Sequence, residues 1–177
     1  MPGYYTYLVA SLPSLVFGSK APMSPEELLS ACKGLVPEAD LALLKQVSLL
    51  DSCELRSFNN PALKSWADFD TALRNELVVL RAGRKKTDPS RFLRQDGSLD
   101  SYIRHAAMAA YRSTSILEAE RMLDAARWYA LDDASLGHYF DIDTLLVYLL
   151  KLKIMERWDN IEKADKEAAL KAFTALN

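Results

Sequence analysis

The sequence predicts an all-α fold. Helix-start signatures recur along the chain, apolar residues return at spacings of three and four, and glycine is scarce, with six in 177 residues. We expect one helical domain over residues 1–177, built of about seven or eight helices behind an extended N-terminal arm. Half the residues are apolar and 26% are charged, which is globular composition rather than disorder. A chain of this size can bury roughly 70% of its unfolded surface, so it needs no disulfide or metal staple.

The first segment, Tyr4 to Pro13, is ambiguous between a strand and an extended or helical packing segment. A lone strand would have no partner, so it reads as a tucked-in arm, followed by a loop at Pro13 and Gly18. Ser24-Pro25-Glu26-Glu27 is a capping box with proline at the first helical position. It opens a short helix to about Lys33, closed by Gly34. Pro37 precedes a helix near Glu38 to Asp51, with Leu41, Leu44 and Val47 on one face.

Asn59-Asn60-Pro61 caps the next helix, along which Trp66, Phe69, Leu73, Leu77 and Leu80 form a stripe. Asp88-Pro89 starts a short helical turn that ends at Asp96-Gly97. Leu99 to Tyr111 is helical and Ala-rich. Ser115-Ile116-Leu117-Glu118 resembles another capping box, so either a break falls near Ser113–Thr114 or the helix continues. The inner stripe beyond it is Ile116, Ala119, Leu123, Ala126 and Ala130, with Glu118/Arg121 and Asp124/Arg127 pairs on the outer face. The most apolar helix runs from Asp141 to about Lys163 and is expected at the centre of the core. A separate amphipathic helix closes the chain at Asp165 to Leu176.

Two segments echo each other at an offset of 73 residues. Asp68-Phe69-Asp70-Thr71-Ala72-Leu73 aligns with Asp141-Ile142-Asp143-Thr144-Leu145-Leu146, and six of the 17 positions from 68 to 84 are identical. One reading is a duplicated helical unit, with halves near 24–97 and 98–177. The other is convergence of two similar amphipathic helices. Both readings place Asp68, Asp70, Asp141 and Asp143 at helix starts, where carboxylates cap backbone N–H groups and meet the positive end of the dipole.

No catalytic constellation emerges. The two histidines, His105 and His138, lie on different elements and in no metal-ligand motif. Phosphate-binding glycine loops and a G-x-S-x-G elbow are absent. Cys32 and Cys53 are too few for a zinc site and read as reduced core or near-core thiols. Asp132-Asp133 reads either as an acidic contact or as a turn with an N-cap. We therefore expect no enzyme, no metal and no cofactor.

One charge feature stands out. Arg81, Arg84, Lys85, Lys86, Arg91 and Arg94 cluster with only Asp88 opposing them, in a chain of net charge −2. A helix C-terminus attracts cations. The same patch also suits docking to an acidic protein surface or to lipid head groups. Nucleic acid is not expected: the global charge is acidic, and no aromatic stacking platform accompanies the patch.

The N-terminal residues carry no Lys or Arg before Lys20, so they lack the charged start of a secretory signal. The longest apolar run, Leu145 to Leu150, is far shorter than the roughly 20 residues that span a bilayer.

The opening Tyr4-Tyr5-Thr6-Tyr7-Leu8-Val9-Ala10-Ser11-Leu12-Pro13-Ser14-Leu15, the segment from Pro22 to Leu29 and the stretch from Phe140 to Trp158 resemble a bacterial family of uncharacterised proteins. Members of that family are typically encoded among the subunits of V/A-type ATPases. The closing stretch is similar, more weakly, to the end of the C subunit of these motors, called d in eukaryotes. That subunit is a non-catalytic, all-helical funnel seated on the membrane rotor ring and receiving the central shaft. This chain is roughly half the usual length of that subunit. The resemblance implies a C/d-like subunit or accessory protein that joins ring and shaft by protein contacts. It implies a cytoplasmic location, held to the inner membrane through a complex. A stand-alone helical adaptor or assembly factor is the alternative, and an enzyme with an unfamiliar site is the third.

Overall fold

The computed structural model describes residues 5–94 and 100–174, with side chains through residue 167. Among the described residues there are seven α-helices, one 3-10 turn and no strand. The chain divides into two compact units, one formed by residues 1–48 and 140–177, the other by residues 49–139.

The first unit contains α1 (Thr6–Ser11), α2 (Pro25–Cys32), α3 (Glu38–Leu49) and α7 (Ile142–Thr174). Ser24 caps α2 in a complete capping box, with Pro25 at the first helical position. Asp141 caps α7, its carboxylate accepting the Thr144 N–H at 3.1 Å. Leu145, Leu146, Leu149 and Leu152 of α7 are fully buried, as are Leu28 of α2 and Leu44 of α3, and α2 packs directly on α7. The expected core helix is therefore the core helix. It differs in one respect: the segment from Asp165 onward continues α7 without a break rather than forming a separate helix. No proline or glycine interrupts that stretch, so nothing in the backbone forces a stop.

The N-terminal arm also differs from expectation. Thr6–Ser11 is a short helix, anchored by the buried Tyr5 and Leu8, and residues 12–24 after it lack regular structure. Side chains tie this segment down. The Tyr5 hydroxyl donates to Asp40, the Tyr148 hydroxyl donates to the Pro13 carbonyl at 2.8 Å, and the Ala21 N–H donates to Asp159 at 3.1 Å. Burial pushes the Tyr148 hydroxyl up to about 12, so it remains a donor at all physiological pH. Lys153 donates to the Val47 carbonyl at 3.2 Å, satisfying an acceptor in the last turn of α3. No helix among the described residues is long and apolar enough to cross a membrane.

The second unit holds the 3-10 turn Glu54–Ser57, α4 (Pro61–Lys85), α5 (Ser101–Arg112) and α6 (Ile116–Ala134). These three helices pack pairwise around Ala72, Leu73, Leu77, Ile103, Ala107, Ala110 and Leu123. Asn60 caps α4 through the Leu63 N–H at 2.9 Å, and Asp100 caps α5 through the Tyr102 N–H at 2.9 Å. The chain breaks between α5 and α6. Ser115 accepts the Glu118 N–H at 3.3 Å, while Ser113 bonds the Ser115 carbonyl at 3.0 Å.

The inward face of α6 departs from expectation in part. Leu123 and Ala126 are buried and Ala119 packs on the core as expected, but Ile116 is 85% exposed, and Trp128 and Leu131 are buried besides. Asp124 and Arg127, expected on the outer face, point inward. The Arg127 guanidinium donates to Asp124 at 2.8 Å and to Asp70 of α4 at 2.8 Å. Arg74 adds an ion pair to Asp70 at 2.7 Å, and the Ser52 hydroxyl donates to the same carboxylate. Burial alone pushes the Asp70 carboxyl up, but Arg127, Ser52 and Arg74 together outweigh it and hold the group below the usual carboxylate range.

Asp68 and Asp70 are thus not helix caps. They lie in the third turn of α4, and Asp68 pairs with Arg56 at 2.6 Å as a charge contact rather than an aligned hydrogen bond. The two echoing segments occupy different places in their helices: Asp141 precedes α7, and its counterpart lies within α4.

Candidate functional site

The expected basic patch begins on the last turns of α4. Positions 78, 81, 82 and 85 share one side of that helix by their spacing of three and four. Val78, Arg81, Ala82 and Lys85 accordingly line one cleft of about 790 Å3, joined by Arg84, by Phe92 of the following loop and by Tyr111 near the end of α5. Val78, Ala82, Phe92 and Tyr111 give an apolar wall. Arg81, Arg84 and Lys85 supply positive charge beside it. Among the described residues, no salt bridge engages Arg81, Arg84, Lys85, Lys86 or Arg91.

Local backbone chemistry shapes the cleft. Lys86 adopts a left-handed conformation, with φ 54° and ψ 39°, which ends α4. The Thr87 N–H then reaches the Ala82 carbonyl at 3.1 Å and the Lys86 N–H reaches Gly83 at 3.3 Å, the two bonds of a Schellman closure. Glycine is the ordinary residue at that position. Lys86→Gly is therefore expected to stabilise the fold by about 0.5–1 kcal/mol in urea unfolding, because it relieves the Cβ strain of a left-handed residue.

Beyond Lys86 the chain forms a turn rather than the expected short helix. The Asp88 carboxylate accepts the Ser90 N–H at 3.0 Å, and the Phe92 N–H bonds the Pro89 carbonyl at 2.9 Å. Hydrogen bonds from Ser90 hold the Asp88 carboxyl below its ordinary range, so it stays anionic. The other predicted boundary, Asp96-Gly97, lies outside the described residues. Asn75 of α4 then clamps the end of the loop. Its amide donates to the Arg94 carbonyl at 2.8 Å and accepts the Arg94 N–H at 3.0 Å. That pair of hydrogen bonds to one residue's backbone holds this point of the loop against α4.

The structure thus brings Arg81, Arg84 and Lys85 together on the cleft. Lys86 serves as the helix terminus, and Arg91 and Arg94 flank Phe92-Leu93 on the loop, all exposed. Two aromatic residues, Phe92 and Tyr111, stand with the cations in the lining of the cleft. Phe92 was legible within Arg91-Phe92-Leu93-Arg94. Tyr111 was not, since only the packing of α5 on α4 brings it near.

His105 is exposed on α5, and His138 lies in the turn after α6. Cys32 is a buried free thiol whose titration burial shifts upward, and Cys53 is an exposed one. The buried Asp70–Arg127–Asp124 group is closed on itself by charge pairing, which is the chemistry of a structural tie.

Fold and site together define an all-helical protein bearing an apolar cleft edged with cations. Residues 105–175 match the model of a family described as a protein of unknown function, DUF2764, a segment running from the second turn of α5 through α7. No curated protein and no solved structure matches the chain.

Proposed function

We propose that this chain is a non-catalytic accessory protein or C/d-like subunit of a V/A-type ATPase, which works by binding other components of the motor between rotor ring and central shaft. The observation that carries a binding role is the basic face of the second unit. Arg81, Arg84 and Lys85 edge an apolar cleft, with Lys86 and Arg91 close by in sequence, and none of the five has a described ion pair in a chain whose net charge is −2. The helix dipole explains Arg84 and Lys85 in the last turn of α4. It does not explain Arg91 and Arg94, which lie beyond the helix. The identity of the motor rests on the likeness of Tyr4–Leu15, Pro22–Leu29 and Phe140–Trp158 to proteins encoded with such subunits.

The N-terminal segment is the second candidate contact. Tyr7 is 80% exposed on a helix otherwise held in place by its neighbours. Reversing charge at Arg84 and Lys85 together tests the first contact in cells. The double variant Arg84→Glu, Lys85→Glu is expected to fold normally, since both side chains are exposed, and to lower recovery of ATPase head and ring subunits at least tenfold. Unchanged recovery would remove the basic face from the interface.

A further inference from the structure

The loop after α4 carries two signals that seldom occur together on a surface. Over residues 81–94, six cations face one carboxylate, a local excess of +5. Within that stretch Phe92 is 65% exposed and Leu93 39% exposed, set between Arg91 and Arg94. Exposed apolar surface of this kind costs solubility unless a partner covers it. The loop is nonetheless built to stand as it does. Asp88 and Pro89 turn the chain, and Asn75 holds the Arg94 backbone against α4.

We infer that this loop and the adjoining end of α4 form a docking surface for anionic phospholipid. Arg84, Lys85, Arg91 and Arg94 meet the negative head groups, and Phe92 with Leu93 enters the boundary between head groups and acyl chains. Charge alone gives weak and reversible adhesion, and one apolar anchor alone gives the same. The combination in one loop is what a lasting surface contact requires. An acidic protein surface would complement the charges equally well. It would not by itself call for Phe92, 65% exposed, and the partly exposed Leu93 between two arginines. Lipid docking does not depend on which motor the protein serves, but it uses the same basic face as the protein contact proposed above, and vesicle binding and subunit recovery distinguish the two occupants.

The test uses the full chain and sedimentation with vesicles of phosphatidylglycerol and phosphatidylcholine, compared with pure phosphatidylcholine. The protein is expected to sediment with the anionic vesicles only. It should be largely released when salt rises from about 0.1 M to about 1 M, which shortens the screening length from about 10 Å to about 3 Å. Phe92→Ser should weaken binding roughly tenfold, as loss of one inserted aromatic ring implies, with an unchanged far-UV spectrum. Arg84→Glu with Arg91→Glu should abolish it. Lys45→Glu, an exposed substitution on α3, should leave it intact. Failure of the unaltered chain to bind anionic vesicles at low salt overturns the inference, and so does equal binding to neutral ones. Full binding by the Phe92→Ser variant overturns the insertion. If vesicles fail while charge reversal still strips ATPase subunits from the purified protein, the basic face belongs to an acidic protein instead.

Discussion

Arg127→Ala is expected to destabilise the second unit by about 3–5 kcal/mol at neutral pH, a large part of the stability of an ordinary domain. The guanidinium is 13% exposed and serves two carboxylates that are 3% and 1% exposed. Removing it leaves Asp70 to Arg74, a half-exposed partner, and to Ser52, and strips Asp124 of its charge partner on the same helix. A buried carboxylate that loses its cation is far costlier than a surface pair that breaks. Arg127→Lys keeps the charge but not the fork that bonds both acids, and should cost about 1.5–3 kcal/mol. Urea titration followed by far-UV circular dichroism measures both. Equal midpoints for the variant and the unaltered chain would mean that the group is not a structural tie.

The same tie has a pH signature. The folded-state carboxyl of Asp70 titrates below its unfolded value, which lies near 3.9. As pH falls, the unfolded chain takes up the proton first, so the group stabilises the fold fully above about pH 5 and progressively less below about pH 4. An Asp70→Asn variant should accordingly be much weaker than the unaltered chain at pH 7 and should approach it in strong acid.

Leu149→Ala is expected to cost about 3–5 kcal/mol, because it removes a fully buried side chain from the third turn of α7 and leaves a cavity that a long helix cannot close by local collapse. Leu149→Met, which keeps most of the volume, should cost less than about 1.5 kcal/mol. A loss of under about 1 kcal/mol for the alanine variant would show that α7 is not the core element of the first unit.

These two positions illustrate what local sequence carries and what it cannot. Helix starts were readable because a cap needs only four residues: Ser24, Asn60, Ser115 and Asp141 all bond the N–H expected of them. The centrality of α7 was readable because its apolar run leaves no polar face. The buried acid–arginine group was not. Asp124 and Arg127 at a spacing of three look alike on either face of a helix, and the partner that draws them inward lies 57 residues from Arg127. Asp70 was misread for a related reason: its D-x-D-T context matches a true cap at Asp141, yet α4 starts at Pro61 and carries it inside the helix. The basic patch was visible as a run of charges. Its cleft was not, since Val78, Phe92 and Tyr111 meet only after α5 has packed on α4.

The reading of this chain as a working part of a rotary motor turns on what it holds in its own cells. Purification from native membranes in mild detergent, with quantitative mass spectrometry of the associated chains, is the measurement to make. Recovery of the ATPase head and ring subunits in amounts near that of the protein itself is the predicted result. Recovery of the protein alone, or with unrelated chains, would contradict the assignment and leave a helical binding protein with a basic face.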